Sequence, residues 1–336
     1  MILTPKIRKT LDISTRMMIA TLALSYIVYR VYMLPTGQVD TFISSVLSGK
    51  DMIFISIVLV LLMLVNWGIE SLKWKWLISQ SEHISFGKAY QAVLGGLAVS
   101  VFTPNRVGEF VGRVFILKKT DPLKAILLTL VGSFSQLLVT IVLGTAAYVF
   151  FAPLYLTSLM FDSSWLVTGF SFSLVTFSVV LLFLFFNIPV LHRISILIPA
   201  RYSEKIKNSI DAFAGCPKSL LLKTLLLSTA RYFVFSTQFY LAIRMMGLNF
   251  TMLQCMLVIP VIYLILVVIP TVAVTEIGVR GSVAVFLFGM LAGAGGFNDN
   301  TTLAVVSAST LIWLLNIAVP SLAGVLVVFR LKFFRR

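Results

Sequence analysis

Long apolar runs alternate with short polar loops along the whole chain. A run of about 18 or more apolar residues is long enough to cross a bilayer as a helix, and several runs reach that length. Two runs are shorter, and the first of these would form a helix only about 22 Å long. The apolar runs lie at about 17–34, 52–70, 89–103, 125–151, 164–188, 219–246, 251–269, 282–297 and 301–329.

This pattern predicts an all-α, polytopic membrane protein that forms a single integral membrane domain over residues 1–336. We expect about six full spans plus two re-entrant helical hairpins, or eight spans, with an inverted pseudo-repeat. The run 17–34 exceeds a signal-peptide core and lacks a clear cleavage site after it, so it is interpreted as an uncleaved first transmembrane helix. Composition agrees, because 12% of residues are charged, against about a quarter in soluble domains.

The formal net charge of +15 bears on which class of partner the protein binds. In a soluble protein it would suggest nucleic acid, but membrane proteins concentrate Lys and Arg in cytoplasmic loops. We therefore expect a lipid partner and no nucleic acid. The basic segments 1–16 and 330–336 both lie on the cytoplasmic side of the cytoplasmic (inner) membrane by this rule. Two isolated cysteines and two isolated histidines indicate no disulfide framework and no metal site, and no cofactor is expected.

Basic residues flank the first short run on both sides. A segment whose two ends lie on the same side of the membrane cannot span it, so residues 89–118 are predicted to form a re-entrant hairpin. The stretch "TPNRVGE" would lie near its tip or on its return arm. Pro104 and Gly108 are the predicted hinge positions, and Thr103 is a candidate N-cap.

The second short run belongs to a segment, 251–297, that is predicted to be either a second hairpin entering from outside or two ordinary spans. The alternation of sides does not decide between them. This segment contains "IPTVAVTEIGVRG", in which Pro270 and Gly278 are the predicted hinges and Thr275 would cap an arm beginning at Glu276. The succession of Pro, Glu and Arg matches the first hairpin, as expected of an inverted repeat with broken helices.

Each hairpin segment places a glutamate four residues before an arginine, one turn apart on a helix. Ionisable groups at membrane depth cost about 2.5–3.5 kcal/mol each on insertion scales, so they pair or face a water-filled cavity. Two interpretations stay open: a partly cationic cavity for an anionic lipid headgroup, or a structural ion pair that pins the hairpin. The candidate substrate-binding residues are Arg106, Glu109, Arg113, Arg231, Glu276 and Arg280.

Arg231 lies within the apolar run 219–246, where a positive charge is costly unless it is compensated. It would face the cavity, pair with a hairpin glutamate, or snorkel to the cytoplasmic interface. Amide side chains in other apolar runs predict interhelical hydrogen bonds; they are Asn66, Gln136, Gln238 and Asn316. A charged and aromatic cluster after the second run is typical of an interfacial belt; its members are Glu70, Lys73, Trp74, Lys75 and Trp76.

The stretches "TPNRVGEFVGRVFILKKTD" and "IPTVAVTEIGVRGSVAVFLFG" resemble a flippase-like transmembrane family related to the membrane region of lysylphosphatidylglycerol synthase. The first stretch fits a motif of Pro, Gly, Glu and Arg through Pro104, Gly108, Glu109 and Arg113, with the arginine one place late. The similarity in length and span layout extends over nearly the whole chain.

The second stretch fits the family less closely. Pro270, Gly278 and Arg280 match its second motif, whereas Gly281 stands where the family often has Glu, and Glu276 where it often has Gly. The resemblance implies a polytopic helical fold with re-entrant helices and internal pseudo-symmetry. It also implies a role in moving or presenting a phospholipid or polyprenyl-linked lipid across the cytoplasmic membrane. Aminoacylation of lipid is not expected, because the transferring domain of the synthase is not in this sequence.

These observations favour a lipid flippase or scramblase that moves an anionic phospholipid or polyprenyl-linked lipid. No Gly-rich Lys-Ser/Thr phosphate loop is present, so the sequence encodes no nucleotide motor. One alternative is a polyprenyl-phosphate-dependent glycosyltransferase or lipid-modifying transferase, although no catalytic constellation is recognised and we do not expect an enzyme. A second alternative is a non-transporting partner of proteins in a lipid or envelope biosynthesis pathway.

Overall fold

The computed structural model describes residues 50–101, 103, 107–117, 119–156, 164–187, 215–269, 273–293 and 298–329, together with the isolated positions 14 and 25. These residues form helices joined by loops, which confirms an all-α, polytopic membrane protein. The helices are α1 (Lys50–Ile78), α2 (Phe86–Ser100), α3 (Gly108–Val114), α4 (Pro122–Tyr155), α5 (Ser164–Phe186), α6 (Lys218–Met245), α7 (Met252–Val268), α8 (Ala273–Ala292), α9 (Asp299–Trp313) and α10 (Val319–Val328), with a π-helical turn, Leu314–Ala318, between the last two.

Several predicted features lie outside the described residues. They are the first span at 17–34 and the basic segment 1–16, apart from the two isolated positions, the tail 330–336, and the residues Pro104, Arg106 and Pro270.

Four of the described helices are long and apolar enough to cross a membrane. They are Asp51–Ile78 of α1, Pro122–Tyr155 of α4, Trp165–Phe186 of α5, and Asp299–Val328, which comprises α9, the π-helical turn and α10. These confirm the predicted runs at 52–70, 125–151, 164–188 and 301–329. Helix α6 also has 28 residues, but polar side chains such as Arg231 and Gln238 make it less apolar.

Polar residues set the starts of several helices. The side chain of Ser85 accepts a hydrogen bond from the Lys88 N–H at the start of α2. Asp121 accepts one from the Leu123 N–H at the start of α4, where Pro122 occupies the first turn. Asn298 likewise caps α9. Such side chains satisfy N–H groups that have no partner within the helix, so the chain turns into each helix at a position that its sequence specifies.

The described helices pack around three clusters of buried apolar side chains, of which two are large. One large cluster draws mainly on α7, α8, α9 and the C-terminal half of α6, and the other on α1, α2 and the N-terminal parts of α4 and α6. Arg231 lies midway along α6, about 20 Å from either end. It falls between Leu221, which belongs to one cluster, and Phe239, which belongs to the other. A charged residue is therefore placed where the two large apolar clusters meet.

Helices α2 and α3 form an antiparallel helical hairpin with direct backbone contact. A Cβ added at Gly112 would lie 2.6 Å from the Cα of Gly96, and one added at Gly108 would lie 2.6 Å from the carbonyl oxygen of Val99. The Thr103 hydroxyl accepts a hydrogen bond of 2.9 Å from the Gly108 N–H, the first N–H of α3. The N-cap of α3 is Val107, whose side chain makes no capping bond, so the prediction of Thr103 as the N-cap is wrong. Thr103 instead satisfies the first N–H of α3 from five residues earlier in the chain. Re-entry of this hairpin into the membrane stays a prediction.

The last span holds the hairpin in place through a glycine in α10. A Cβ added at Gly324 would overlap the carbonyl oxygen of Leu94 in α2. Two helix backbones approach this closely only where a small residue allows it, as is common between membrane helices. The hairpin is therefore fixed against α10, and its charged arm has a defined position in the bundle.

In the second segment, the predicted run 251–269 agrees with α7, Met252–Val268, whereas the bounds predicted for the following arm are wrong. Helix α8 begins at Ala273 and runs without a break to Ala292, so the predicted apolar arm at 282–297 is only its second half. Thr275 lies inside α8 and does not precede an arm that begins at Glu276. The predicted hinge Gly278 is also within the continuous helix. A glutamate and an arginine one turn apart can pair with each other, so they need not interrupt a helix.

We predict that Gly112→Ala destabilises the protein by about 1–3 kcal/mol, because the added methyl group must displace a helix backbone. The free energy of unfolding, measured by SDS titration of detergent-solubilised protein, tests this. Gly169→Ala in α5 is the matched control, since a Cβ there meets no atom within 4 Å; we expect a change within about 0.5 kcal/mol. Equal effects of the two substitutions would contradict the close packing of the hairpin.

Candidate functional site

The site is built around the carboxylate of Glu70, which is buried in the C-terminal half of α1. Its Oε1 accepts a hydrogen bond of 3.0 Å from Nη2 of Arg113. Its Oε2 lies 2.9 Å from Nη1 of Arg231 and 2.8 Å from Nζ of Lys73. One carboxylate therefore joins three cations that come from α1, α3 and α6.

Arg113 also pairs with a second carboxylate, Glu109, one turn earlier on α3. The guanidinium is buried and bound on one side by its own helix and on the other by α1. Its aliphatic part packs beside Gly96, where a Cβ would lie 2.9 Å from Cγ of Arg113. The glycine of α2 makes room for the arginine, and the hairpin is tied to α1 by this ion pair.

Lys73 is the most buried of the three cations, with 1% of its side chain exposed. Besides Glu70, its ammonium donates to the Ser228 hydroxyl of α6 at 3.3 Å. The Ser228 and Ser135 hydroxyl oxygens are 2.8 Å apart, which extends the polar contacts to α4. A neighbouring polar contact joins Trp74 Nε1 to the Thr129 hydroxyl at 3.0 Å.

Arg231 is the least buried of the three cations, with 17% of its side chain exposed against 2% for Arg113. Its Nε donates to Oδ1 of Asn66 at 2.8 Å, and its Nη1 reaches Glu70. The guanidinium also lies over the ring of Trp67, 5.1 Å from the ring centre. The stacking and the two hydrogen bonds fix the orientation of the planar group.

A chain of amide groups continues from Arg231 across the bundle. Asn66 Nδ2 donates to Oδ1 of Asn316 at 2.8 Å, and Asn316 Nδ2 donates to Oε1 of Gln238 at 3.1 Å. Gln238 in turn donates to the carbonyl oxygen of Leu59 at 3.1 Å. Asn316 lies in the π-helical turn between α9 and α10, the kind of irregularity that often marks functional sites. These bonds confirm the interhelical role predicted for the amides.

The charges of this cluster do not balance. Among the residues that the structure describes, three cations, Lys73, Arg113 and Arg231, face two carboxylates, Glu70 and Glu109. In addition, Nε of Arg113 is buried and has no hydrogen-bond partner among the described residues. Removing charges from water costs several kcal/mol per ion unless opposite charges compensate. The excess of one positive charge makes the cluster suited to an anion.

The second Glu–Arg pair forms within α8. Nη2 of Arg280 lies 2.9 Å from Oε1 of Glu276, and each side chain is 13% exposed. The Arg280 guanidinium lies 6.0 Å from the centre of the Tyr263 ring of α7, and that ring contacts Tyr232 of α6. The local pairing repeats that of Glu109 and Arg113. The surroundings differ, because this pair lies on a helix of 20 residues and the first on a helix of seven.

The structure thus unites part of the predicted site and corrects part of it. Arg113, Glu109 and Arg231 come together, whereas Glu276 and Arg280 pair on another helix. The partner of Arg231 is Glu70 of α1, not a hairpin glutamate, and Asn66 holds the same guanidinium. The interfacial belt is also wrong for Glu70, Lys73 and Trp74, which are buried.

A family model described as the lysylphosphatidylglycerol synthase transmembrane region matches residues 17–324. The match includes α1 to α9, and so every residue of the Glu70 cluster. No curated protein and no solved structure matches this chain.

We predict that Glu70→Ala lowers the free energy of unfolding by about 3–5 kcal/mol, because it leaves buried cations without their shared carboxylate. Adding Arg231→Ala removes one of those cations, so the double variant should lose about 1–3 kcal/mol less than the sum of the single losses. SDS titration of all four proteins measures the coupling. Arg244→Ala is the control, because Arg244 is exposed on the same helix as Arg231 and donates a hydrogen bond to Asn249. The destabilisation by Arg244→Ala should add to that by Glu70→Ala in the double variant. If the effects of Arg231→Ala and Glu70→Ala are also additive, the network is contradicted.

Proposed function

Because the chain belongs to the family of the lysylphosphatidylglycerol synthase transmembrane region, we propose that it is a lipid flippase or scramblase that binds an anionic lipid headgroup at Arg231. Its substrate would be an anionic phospholipid or a polyprenyl-linked lipid. The position of Arg231 carries this proposal, because a partly exposed guanidinium midway along a bundle helix has, among the described residues, a shared carboxylate as its one counter-charge.

The donors of Arg231 suit a phosphate group. Within the described residues the guanidinium uses Nε and Nη1 for Asn66 and Glu70, which leaves Nη2 for a further acceptor. Guanidinium groups bind phosphate through parallel N–H donors, with hydrogen bonds about twice as strong as neutral ones. A headgroup phosphate approaching the exposed edge of Arg231 would also supply the negative charge that the cluster lacks.

The location of the cluster suits transfer between leaflets. Ionisable residues inside membrane bundles mark substrate pathways when they are not purely structural pairs. Lys73, Arg113 and Glu109 have local partners and support the architecture, whereas the side chain of Arg231 is partly exposed. The acyl chains of a bound lipid would stay in the bilayer while the headgroup crosses beside α6. By the distribution of basic residues, we expect both termini in the cytoplasm and the protein in the cytoplasmic membrane.

Exchange of fluorescent lipids between the leaflets of liposomes tests the proposal. With purified protein inserted, labelled phosphatidylglycerol should exchange faster than in protein-free vesicles, and faster than labelled phosphatidylcholine. Arg231→Gln should slow the exchange of phosphatidylglycerol by about tenfold or more, because it removes a hydrogen bond between two charged groups.

Arg244→Gln is the matched control, since it removes the same charge from the end of the same helix, and we expect it to exchange lipid at the wild-type rate. Mass spectrometry of lipid that co-purifies with the protein would identify the lipid class. Exchange at the rate of protein-free vesicles for phosphatidylglycerol, phosphatidylcholine and a labelled polyprenyl phosphate alike would rule out the flippase proposal.

A further inference from the structure

We infer that the Glu70 carboxylate competes with the anionic headgroup for Arg231. It pairs with Arg231 when no lipid is bound, and this ion pair breaks when the headgroup binds. The inference rests on the proposed function and concerns how the same site is regulated. It assigns Glu70 a positioning and competing role, distinct from that of a residue that merely holds helices together.

The geometry of Glu70 is that of a bound anion. Its two oxygens lie within 2.8 to 3.0 Å of three cationic nitrogen atoms that come from three different helices. A phosphate group offers oxygens with the same charge and the same preference for guanidinium donors. A phosphate that binds the parallel Nη1 and Nη2 donors of Arg231 together would therefore compete with Glu70 for Nη1.

The cations differ in the partners that remain to them if the Glu70 carboxylate moves away. Arg113 keeps the carboxylate of Glu109. Arg231 keeps the amide oxygen of Asn66 and the ring of Trp67, neither of which carries a charge. Arg231 thus depends most on Glu70 for compensation, and it gains most from an incoming anion.

The exchange of partners leaves each charge compensated. If the headgroup takes over Arg231, Glu70 still binds Lys73 through Oε2 and Arg113 through Oε1. The three cations then face three anionic groups, and the excess positive charge disappears. Release reverses the exchange, because the Glu70 carboxylate is held close by and returns to Arg231. Glu70 therefore lowers the affinity for the headgroup and favours its release, as a competing ligand does.

The substitution Glu70→Gln removes the competing charge and keeps the shape of the side chain. Binding of a labelled short-chain phosphatidylglycerol to the detergent-solubilised protein, followed by fluorescence anisotropy, should become about ten- to a hundredfold tighter. Binding of the same label on phosphatidylcholine should change much less. Glu82→Gln is the matched control, because Glu82 is a carboxylate in the loop after α1 that accepts hydrogen bonds from Lys119 and Thr120. It should bind both lipids as the wild type does.

Glu70→Asp is the second variant, for the case that the glutamine protein does not fold. It keeps the charge that Lys73 and Arg113 need, but its carboxylate is one methylene shorter and reaches Arg231 less well. We expect a smaller tightening in the same direction. If neither folded Glu70 variant binds phosphatidylglycerol more tightly than the wild type, or if both lipids tighten equally, the inference is overturned.

Two further results separate this inference from the proposed function. If the wild type does not prefer phosphatidylglycerol to phosphatidylcholine and Arg231→Gln binds both as well as the wild type, the proposed headgroup site at Arg231 is wrong. If Arg231→Gln abolishes the preference but Glu70→Gln binds phosphatidylglycerol no more tightly, the site at Arg231 is supported and the competition by Glu70 is wrong. Competition with inorganic phosphate tests whether the site binds a lipid headgroup or free phosphate. If inorganic phosphate displaces the labelled lipid at a concentration equal to that of the lipid, the lipid headgroup is not the specific ligand.

Discussion

The arrangement of this protein depends on one buried carboxylate that neutralises more than one buried cation. Glu70 joins Lys73 of its own helix to Arg113 of the hairpin and Arg231 of α6. Buried charges are tolerated when their geometry is good and their remaining donors are bonded, and breaking one such contact leaves an uncompensated charge behind. The Glu70 carboxylate therefore fixes three helices relative to one another, and it does so with a deficit of negative charge. Because of that deficit the cluster can serve both architecture and binding.

Two packing features bring the cations within reach of Glu70. Glycines at the contact of α2 and α3 let the hairpin close so tightly that Arg113 fits beside Gly96, and Gly324 of α10 lets the hairpin lie directly against the last span. On the other side, the amide chain from Asn66 to Asn316 joins Arg231 to the π-helical turn. A shift of the last span would thus change the contacts that position both Arg113 and Arg231. These contacts link the proposed headgroup site to a helix that is long enough to cross the membrane.

Much of this fold could be predicted from the sequence, because the signals are local. Apolar runs predicted the long helices, and the spacing of Glu109 and Arg113 predicted their pair. Glu70 could not be recognised, since its neighbours Lys73 and Trp74 look like an interfacial belt, while its other partners are 43 and 161 residues away. The bounds of α8 were misplaced for a related reason: Glu276 and Arg280 interrupt an apolar run in sequence, but their pairing lets the helix continue through them.

An experimental structure of the protein in a bilayer of phosphatidylglycerol tests the central claim most directly, because it shows which anion contacts Arg231. The account predicts a headgroup phosphate within hydrogen-bonding distance of the Arg231 guanidinium, with Glu70 withdrawn from it but still bound to Lys73 and Arg113. A lipid-filled structure in which Glu70 still bridges all three cations, with phosphate bound elsewhere on the protein, would contradict it.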